Sequence, residues 1–546
     1  MKKLSRLLLL PLIFLLVIGG ICYYIYLPAV NIHSRDFWVF LFILFAIMTV
    51  ASLIFGSRPK FKQNGKNLEM NLESPAKKNP VFKLFLSLTL VLLAVYVIGS
   101  LLSSPIINAK KYRDLINIET RDFSQDIEQI SYSEIPLLDK DSAALLGSRK
   151  MGSMVEYVSQ FEVADNYAQI NLNDAPVRVT PLKYASLFKW FTNRKEGLPA
   201  YIKIDMATQN AECVKLSNGI KYSESEHFGR YIYRHLRFNY PTYIFDTINF
   251  EIDEEGTPYW VCPVKDFTIG LFGGQTVKNV VLVNAVTGET TNYKVDEVPT
   301  WIDRVYSANL LVSYYDYYGT LKHGFLNSIF GQKDCLQTTE GYNYIALDDD
   351  VWVYTGVTSV VSDESLVGFV LMNQRTAETR YYSISGAKEY SAMASAEGKV
   401  QNLSYVATFP LLLNISNEPT YFIALKDSAG LVKKYAMVNI EKYTIVAIGD
   451  TVAECEKDYV TQLKQNNISA EVSTEDTKTI AGVIEKIADC VIEGNSHYYV
   501  LLKGRSGIYD VNVGEHIGIV TYQEGDTIRL KYTEGSEVNT VTDILK

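Results

Sequence analysis

Three long apolar runs near the N-terminus constrain the fold more than any other feature of this sequence. They cover residues 7–32, 37–56 and 84–104. Each is about 20 residues or longer, which is enough for a helix to cross roughly 30 Å of hydrocarbon. The first run is too long for the apolar part of a cleaved signal peptide, and no small-residue cleavage site follows it. The sequence therefore predicts a three-helix membrane anchor over residues 1–104.

The distribution of Lys and Arg around these runs predicts the orientation of the anchor. The segment before the first run and the 57–83 loop are rich in basic residues, whereas the short loop between the first two runs contains only Arg35. Basic loops usually stay in the cytoplasm. We therefore predict a multi-pass protein of the cell membrane with a cytoplasmic N-terminus and with residues 105–546 extracytoplasmic. The runs contain no Asp, Glu, Lys, Arg or His that would mark an ion pathway, which argues against a transporter.

The composition bounds the classes of partner. The chain has 546 residues, of which 48% are hydrophobic and 12% aromatic, so it can bury a large core. Its net charge of −9 argues against a nucleic-acid binder, which needs clustered Lys and Arg. None of the six Cys forms a C-x-x-C pair, so the sequence indicates neither a zinc site nor a thioredoxin-like motif. One or two long-range disulfides stay open as an alternative to buried thiols.

The remaining chain divides by composition into four segments. Residues 105–150 are polar and mixed in charge, and we expect a helical or loosely ordered stalk there. Residues 151–454 alternate short apolar strands with Gly, Pro, Asn and Asp turns, which predicts a repeated α+β region. Residues 455–477 are predicted to form a helix and linker. The short strands and Gly turns of residues 478–546 predict a small β-barrel of the OB or SH3 type.

A short hairpin recurs along the strand-rich region. In each copy an apolar strand ends in Asp or Asn, and Thr follows three residues later, as in "VVLVNAVTGETTNYKV" (280–295); the last copy has Lys442 instead of Thr. An Asp or Asn side chain in such a turn accepts hydrogen bonds from backbone N–H groups further along the chain. We therefore predict a structural role for these residues. The four positions are Asp205, Asn284, Asn373 and Asn439.

A second recurrent element is an aromatic strand that follows a Glu-Gly-type turn. Three of these strands end in Asp, at Asp266, Asp349 and Asp427, and this alignment gives Asp349 a structural position in a turn. The acidic triplet from Asp348 to Asp350 is accordingly predicted to be a solvated turn that satisfies backbone donors. The alternative is a calcium-like metal site formed by Asp348 and Asp350, which would need further oxygen ligands.

A basic segment, "SESEHFGRYIYRHLRF" (223–238), offers a candidate ligand site. On a helix Arg230, Arg234 and Arg237 share one face. The functional interpretation is an anion patch for wall-polymer phosphate or lipid headgroups. The alternative is an ordinary solvated face, which is what most charge runs form.

The aromatic strand, its Lys-Asp end and the hairpin that follows resemble the PepSY type of extracytoplasmic module. The match is closest over Tyr259–Val295, where Asn284, Thr287, Gly288 and Glu289 fit the module's final hairpin. The whole chain is also similar to a group of membrane-anchored proteins of Gram-positive gut bacteria. The resemblance implies binding or inhibitory modules and carries over no catalytic residues.

The sequence holds no complete set of known catalytic motifs. Ser74 and Ser385 each begin an S-x-x-K match, but the S-D-N and K-T-G motifs of a penicillin-binding enzyme do not occur. The sequence contains no H-E-x-x-H, G-x-S-x-G, P-loop or dinucleotide-binding fingerprint, and its six His are not at metal-ligand spacing. We therefore predict no catalytic residue and no cofactor, and expect a non-catalytic binding or scaffold component of the bacterial cell envelope. Its partners would be the membrane and other envelope proteins or wall polymer. Two alternatives stay open: a wall hydrolase that uses carboxylates of "FEIDEEG" or "ALDDDV", and an accessory subunit of a transport or secretion complex.

Overall fold

The structure is a computed structural model in which helices accompany a strand-rich body and a closed barrel. The mixed α and β composition, the strand-rich body and the small C-terminal barrel that the sequence predicts are confirmed. The described residues are 17–56, 60–64, 67–71, 80–129, 135–347, 349–361, 365–468, 470, 477–492, 495–513, 516–533 and 538–545.

Apolar helices begin the described chain: α1 (Val17–Tyr26), α2 (Arg35–Gly56) and α3 (Pro80–Leu102). A hairpin of β1 (Lys60–Asn64) and β2 (Asn67–Asn71) lies between α2 and α3. Two stretches, Arg35–Leu53 of α2 and the whole of α3, are long and apolar enough to cross a membrane, judged by length and composition. The helix α1 is shorter, and residues 7–16 of the first predicted span lie outside the described residues. Two of the three predicted spans are therefore present as candidates.

One arrangement of strands occurs four times in the body. In each unit, two short strands lie end to end along one edge of the first of two consecutive central strands, and a fifth strand pairs with the second central strand. Unit 1 comprises β4 (Phe161–Val163), β5 (Ala168–Leu172), β6 (Ala175–Tyr184), β7 (Leu198–Asp205) and β8 (Ala211–Ile220). Unit 2 comprises β9 (Ile244–Phe245), β10 (Asn249–Ile252), β11 (Pro258–Ile269), β12 (Gly273–Asn284) and β13 (Thr290–Lys294).

The third and fourth units repeat this order. Unit 3 comprises β14 (Leu336–Thr338), β15 (Asn343–Leu347), β16 (Asp350–Ser359), β18 (Gly368–Asn373) and β19 (Thr379–Tyr382), with a small side pair β17 (Ser365–Leu366) and β20 (Gly386–Ala387). Unit 4 comprises β21 (Val406–Ala407), β22 (Leu411–Ile415), β23 (Glu418–Lys426), β24 (Val432–Asn439) and β25 (Val446–Gly449).

A helix precedes each unit along the chain. These helices are α6 (Lys140–Gly152), α8 (Ile232–Asn239), α9 (Ala308–Thr320) and α10 (Glu389–Lys399). Unit 1 contains an additional helix, α7 (Leu187–Asn193), between its central strands, and α11 (Val452–Gln465) follows unit 4. The last helix begins with a capping box in which Thr451 and Glu454 satisfy each other's backbone N–H groups.

Neighbouring units share their hydrophobic cores. Trp260 and Cys262 of β11 pack in the core shared with unit 1, whereas Val261, which points to the opposite face, packs in the core shared with unit 3. A third core joins unit 3 to unit 4, with Trp352 and Phe422 among its members. Sheets that are covered on both faces need apolar residues at consecutive positions, which explains the unbroken apolar runs in these strands.

The described parts of residues 105–150, which are 105–129 and 135–150, pack against the body of the protein. The segment contains α4 (Pro105–Arg113), β3 (Ile118–Arg121), α5 (Phe123–Asp126) and α6. Strand β3 pairs in parallel with β19 and extends the sheet of unit 3. Phe123 and Ile127 are buried in the core that joins units 3 and 4. The polar composition suggested a stalk because these few apolar residues are diluted by charged ones.

The C-terminal strands form a closed five-stranded barrel. Its strands are β26 (Thr477–Ile492), β27 (Asn495–Leu502), β28 (Ile508–Asn512), β29 (Thr527–Thr533) and β30 (Asn539–Leu545), in the order β26-β27-β28-β30-β29. The long β26 pairs with β27 through its second half and with β29 through its first half, which closes the sheet. Ile484, Val500 and Leu530 fill the interior.

Candidate functional site

The recurrent Asp and Asn residues end the second central strand of each unit. Asp205 Oδ1 accepts hydrogen bonds from the N–H groups of Ala207 at 3.0 Å and Thr208 at 2.8 Å. Asn284 and Asn373 accept the equivalent bonds at 2.8 to 3.0 Å, and Asn439 accepts one from Lys442 at 2.7 Å. The Oδ1 atoms of these side chains therefore fix the hairpin turns by accepting backbone hydrogen bonds.

The alignment of Asp266, Asp349 and Asp427 needs correction. Asp266 lies inside β11 opposite Thr276, and Asp427 follows β23, which is the first central strand of its unit. Asp349 instead lies in the turn before the first central strand of unit 3, with a φ of +62°. The aromatic strand of unit 3 forms the short β15, and composition does not distinguish a short strand from a central one.

The acidic triplet contributes to a junction between units 1 and 3. Asp349 Oδ1 accepts a hydrogen bond from Asn171 Nδ2 at 3.0 Å. Asp350 is only 5% exposed, and its oxygens accept bonds from Arg375 Nε at 2.5 Å and from Asn373 Nδ2 at 2.8 Å. Asp348 lies outside the described residues. Among the residues that the structure describes, no group of three His, Cys, Asp or Glu side chains is placed to hold a metal ion.

Two further carboxyl groups are buried at this junction. Asp303 N donates to Glu251 Oε2 at 3.1 Å, and Asn171 N donates to Asp303 Oδ2 at 2.7 Å. Burial raises the pKa of Glu251 to about 7, and burial together with the charge of Glu251 raises the pKa of Asp303 well above its usual range. The other carboxyl residues of "FEIDEEG" lie in the following turn, where Glu254 and Glu255 are exposed. The pair joins units and is closed to solvent.

The three arginines of the proposed anion patch have different environments. Arg237 is 9% exposed, and its guanidinium donates to the carbonyl oxygens of Leu27 at 2.8 Å and Tyr243 at 2.6 Å. Arg234 lies over the Tyr24 ring at 4.0 Å, whereas Arg230 donates to the carbonyl of Arg194. Helix C-terminal carbonyls lack helical partners and carry partial negative charge. Arg234 and Arg237 therefore bind the end of α1, and neither is a freely solvated cation.

The tip of the β11–β12 hairpin contacts the ends of the other apolar helices. Phe272 N donates to Ser103 Oγ at 3.1 Å, and His33 Nδ1 lies 2.8 Å from the Leu271 carbonyl oxygen. At Gly270, with φ +62°, an added Cβ would lie 2.5 Å from Ser103 Oγ. The glycines of "IGLFGGQ" therefore allow close packing against the apolar helices, which the sequence alone did not indicate.

A cleft with a volume of about 970 Å³ lies between unit 4 and the barrel. We call it the barrel cleft. One wall consists of the end of α10, the edge strand β25 and α11. The other consists of outward-facing residues of β27, β28 and β30. The free edge of β25 is partly covered by α11, because Gln462 Nε2 donates to the Val446 carbonyl at 3.0 Å. A ligand in the barrel cleft would therefore meet side chains more than strand backbone.

Charged groups of both signs line the barrel cleft. Lys434 Nζ lies 2.6 Å from Asp450 Oδ1, and His497 Nδ1 lies 2.8 Å from Asp510 Oδ1. Burial, followed by the charge of Asp450, raises the pKa of Glu454. Lys399, Lys457 and Asp458 also line the space. Mixed charge at this size suits an extended polar ligand that itself carries both signs.

His497 and Asp510 were not identified from the sequence. They come from adjacent strands, and the barrel's outer face becomes predictable only when the register of β27 against β28 is known. In the neighbouring pair of strands, β26 and β27, Cys490 of β26 lies directly opposite His497. All six cysteines are free thiols in the structure.

No protein-family model and no curated protein matches this chain.

Proposed function

We propose that this protein is a membrane-anchored binding and scaffold component of the cell envelope, and that the barrel cleft holds its ligand. The observation that carries the proposal is the cleft of about 970 Å³ between unit 4 and the barrel, lined by Lys434, Asp450, His497 and Asp510. Ligand sites commonly lie between domains, where convergent polar groups fix the ligand's orientation.

The charges of the residues that line the barrel cleft indicate the class of ligand. Both acidic and basic groups line the cleft, so a strongly anionic polymer would meet Asp450 and Asp510, and a cationic one would meet Lys399. A zwitterionic peptide segment pairs with both signs. Stem peptides of cell-wall fragments belong to this class, and they are the ligand that we propose.

The proposal includes the topology predicted from the sequence. Residues 7–32 would form a third span beside α2 and α3, the N-terminus would be cytoplasmic, and residues 105–546 would be extracytoplasmic. It also includes kinship of the four units with PepSY-like binding modules and of the barrel with OB or SH3 folds. Binding modules of this kind would place a ligand site at a fixed distance from the membrane.

The test uses the full chain in nanodiscs and soluble muropeptides as the probe. We expect saturable binding by calorimetry and at least tenfold weaker binding for Lys399→Glu in the cleft. Lys442→Glu is the matched control, because Lys442 is an exposed lysine of unit 4 outside the cleft. Absence of binding by the wild-type chain, or equal loss in both variants, would contradict the proposal.

One observation favours a second candidate, which is thiol chemistry at Cys490, the residue opposite the cleft residue His497. Residues directly opposite in a ladder share a face, with Cβ atoms roughly 4.5–5.5 Å apart, so Cys490 and His497 are neighbours. A His oriented by an Asp, as His497 is by Asp510, is the arrangement that activates a nucleophilic thiol. Alkylation of Cys490 by iodoacetamide should then slow in His497→Gln. The internal control is Cys213, whose thiol pKa is raised by burial and whose rate should not change.

A further inference from the structure

Unit 1 carries an exposed aromatic protrusion. Helix α7 has the sequence LFKWFTN, and only Trp190 faces inward, where its Nε1 donates to Glu226 at 2.8 Å. Phe188 is 83% exposed, and Leu187 and Phe191 are also exposed. Contiguous exposed apolar side chains of this size mark an interaction surface.

The protrusion is continuous with the end of the first apolar helix. Phe228 is 65% exposed, and its ring lies 6.1 Å from that of Trp190. The Phe228 carbonyl accepts a hydrogen bond at 2.8 Å from Arg234, whose guanidinium lies over the ring of Tyr24 in α1. The exposed Phe238 ring also contacts Tyr24, at 6.3 Å. These contacts place the protrusion beside the point where α1 ends.

A second protrusion lies beside the end of α3. Phe330 is 81% exposed in the helical turn Asn327–Gly331, and Leu326 and Ile329 are exposed with it. The preceding Phe325 packs against the small core formed by Tyr112, Ile269 and Leu321. The Tyr112 hydroxyl donates to the Ser103 carbonyl at 2.6 Å, directly after α3. Both protrusions are thus tied to the same end of the apolar helices.

We propose that the two protrusions insert into the headgroup region of the bilayer, so that the body rests on the membrane surface. The proposal rests on the membrane anchor of the proposed function. Outside α1–α3, all five phenylalanines that are exposed in the described residues lie in or beside these protrusions. Aromatic residues favour the membrane interface, and flanking basic side chains extend toward lipid phosphates. The flanking basic residues are Lys189, Arg194, Lys195, Lys322 and Lys333.

The test places a solvatochromic fluorescent amino acid at single positions of the full chain, reconstituted in liposomes of zwitterionic and anionic lipid. Quenching by doxyl-labelled lipid and by aqueous iodide is then measured at each position. We expect lipid quenching and iodide protection at residues 188 and 330. Ile517 of the barrel, which is 68% exposed, is the matched control and should be quenched by iodide alone. Leu93 within α3 reports on the anchor itself.

The outcomes separate the two proposals. If position 93 is quenched by lipid while 188 and 330 are quenched only by iodide, the surface contact is wrong and the anchor stands. If 188 and 330 are protected from both quenchers, a protein covers the protrusions and the lipid proposal is overturned. If position 93 is not quenched by lipid, the anchor and the surface contact both fail.

Discussion

Units 2 and 4 share one strand arrangement and make different contacts. In unit 2 the central strands β11 and β12 have 12 residues each, and their tip reaches Ser103 and the loop before α2. In unit 4 the corresponding β23 and β24 have nine and eight residues, and their turn contacts α6, where Ser142 Oγ donates to the Gly430 carbonyl at 3.3 Å. The longer strands of unit 2 therefore carry their turn to the apolar helices. A repeated scaffold acquires separate roles by changes at strand ends, while its core stays the same.

The largest predicted effect concerns the ionisable core of unit 2. Strand β10 buries Glu251, whereas the corresponding β22 of unit 4 is apolar apart from Asn414. The folded pKa of Glu251 is about 7, above the unfolded value of 4.5, so the folded state binds the proton more tightly. The stability from this group is therefore full below pH 4.5 and is lost as pH rises to 7, by on the order of 3 kcal/mol.

Glu251→Gln should remove the part of this dependence that Glu251 contributes, while the part due to burial of Asp303 stays, and it should raise the melting temperature at pH 8 relative to wild type. Glu254→Gln, at the exposed turn, should leave the pH profile of thermal unfolding unchanged. The opposite result would be a wild-type melting temperature that rises from pH 5 to pH 7, together with loss of that rise in Glu251→Gln. It would show that folding lowers the pKa of Glu251.

The hairpin turns provide a matched pair of glycines. Gly270 in unit 2 and Gly430 in unit 4 both have positive φ, so Ala costs roughly 1 kcal/mol of backbone strain at either position. At Gly270 the new Cβ also collides with Ser103, whereas at Gly430 the nearest atom is 3.7 Å away. We expect Gly270→Ala to lower the free energy of unfolding by roughly 3 kcal/mol and Gly430→Ala by roughly 1 kcal/mol. If denaturant titrations gave equal losses in the free energy of unfolding for the two variants, the hairpin tip would not distinguish unit 2 from unit 4.

The arginines beside unit 2 give a smaller effect. Arg237→Met removes several hydrogen bonds to backbone carbonyls, including those of Leu27 and Tyr243, and should cost about 2 kcal/mol because buried acceptors lose their partners. It should also increase protease cleavage between α1 and α2. Arg230→Met loses one bond at an exposed site and should cost under about 0.5 kcal/mol. Similar cleavage rates for the two variants would count against docking by Arg237.

The smallest effect on stability is expected at the barrel cleft. Lys399→Glu changes an exposed side chain of unit 4, so the free energy of unfolding should change by under about 0.5 kcal/mol. Muropeptide affinity should nevertheless fall tenfold, which corresponds to about 1.4 kcal/mol. A large stability loss without a change in affinity would assign Lys399 to the fold and not to the site.

The sequence predicted the parts of this fold that depend on local chemistry. The turn residue Asn284 and its partners follow from Asx geometry, and the apolar α2 and α3 follow from hydropathy. The sequence alone did not predict strand register or long-range packing. The proximity of His497 to Asp510 depends on ladder alignment, and the pairing of Asp350 with Arg375 depends on where β16 begins. The segment containing Phe123 was misassigned because its partners lie far along the chain.

The parallel pairing of β3 with β19 has a consequence for synthesis. Ile118 lies opposite Thr379, so roughly 260 residues must follow β3 before its partner exists. At about 5–20 residues per second, this interval lasts roughly 13–50 s. During that time β3, which follows the apolar helix α3 and α4, presents an unpaired edge. The segment after α3 is therefore a position where a chaperone would act, and where a stalled ribosome would leave the chain open to proteolysis.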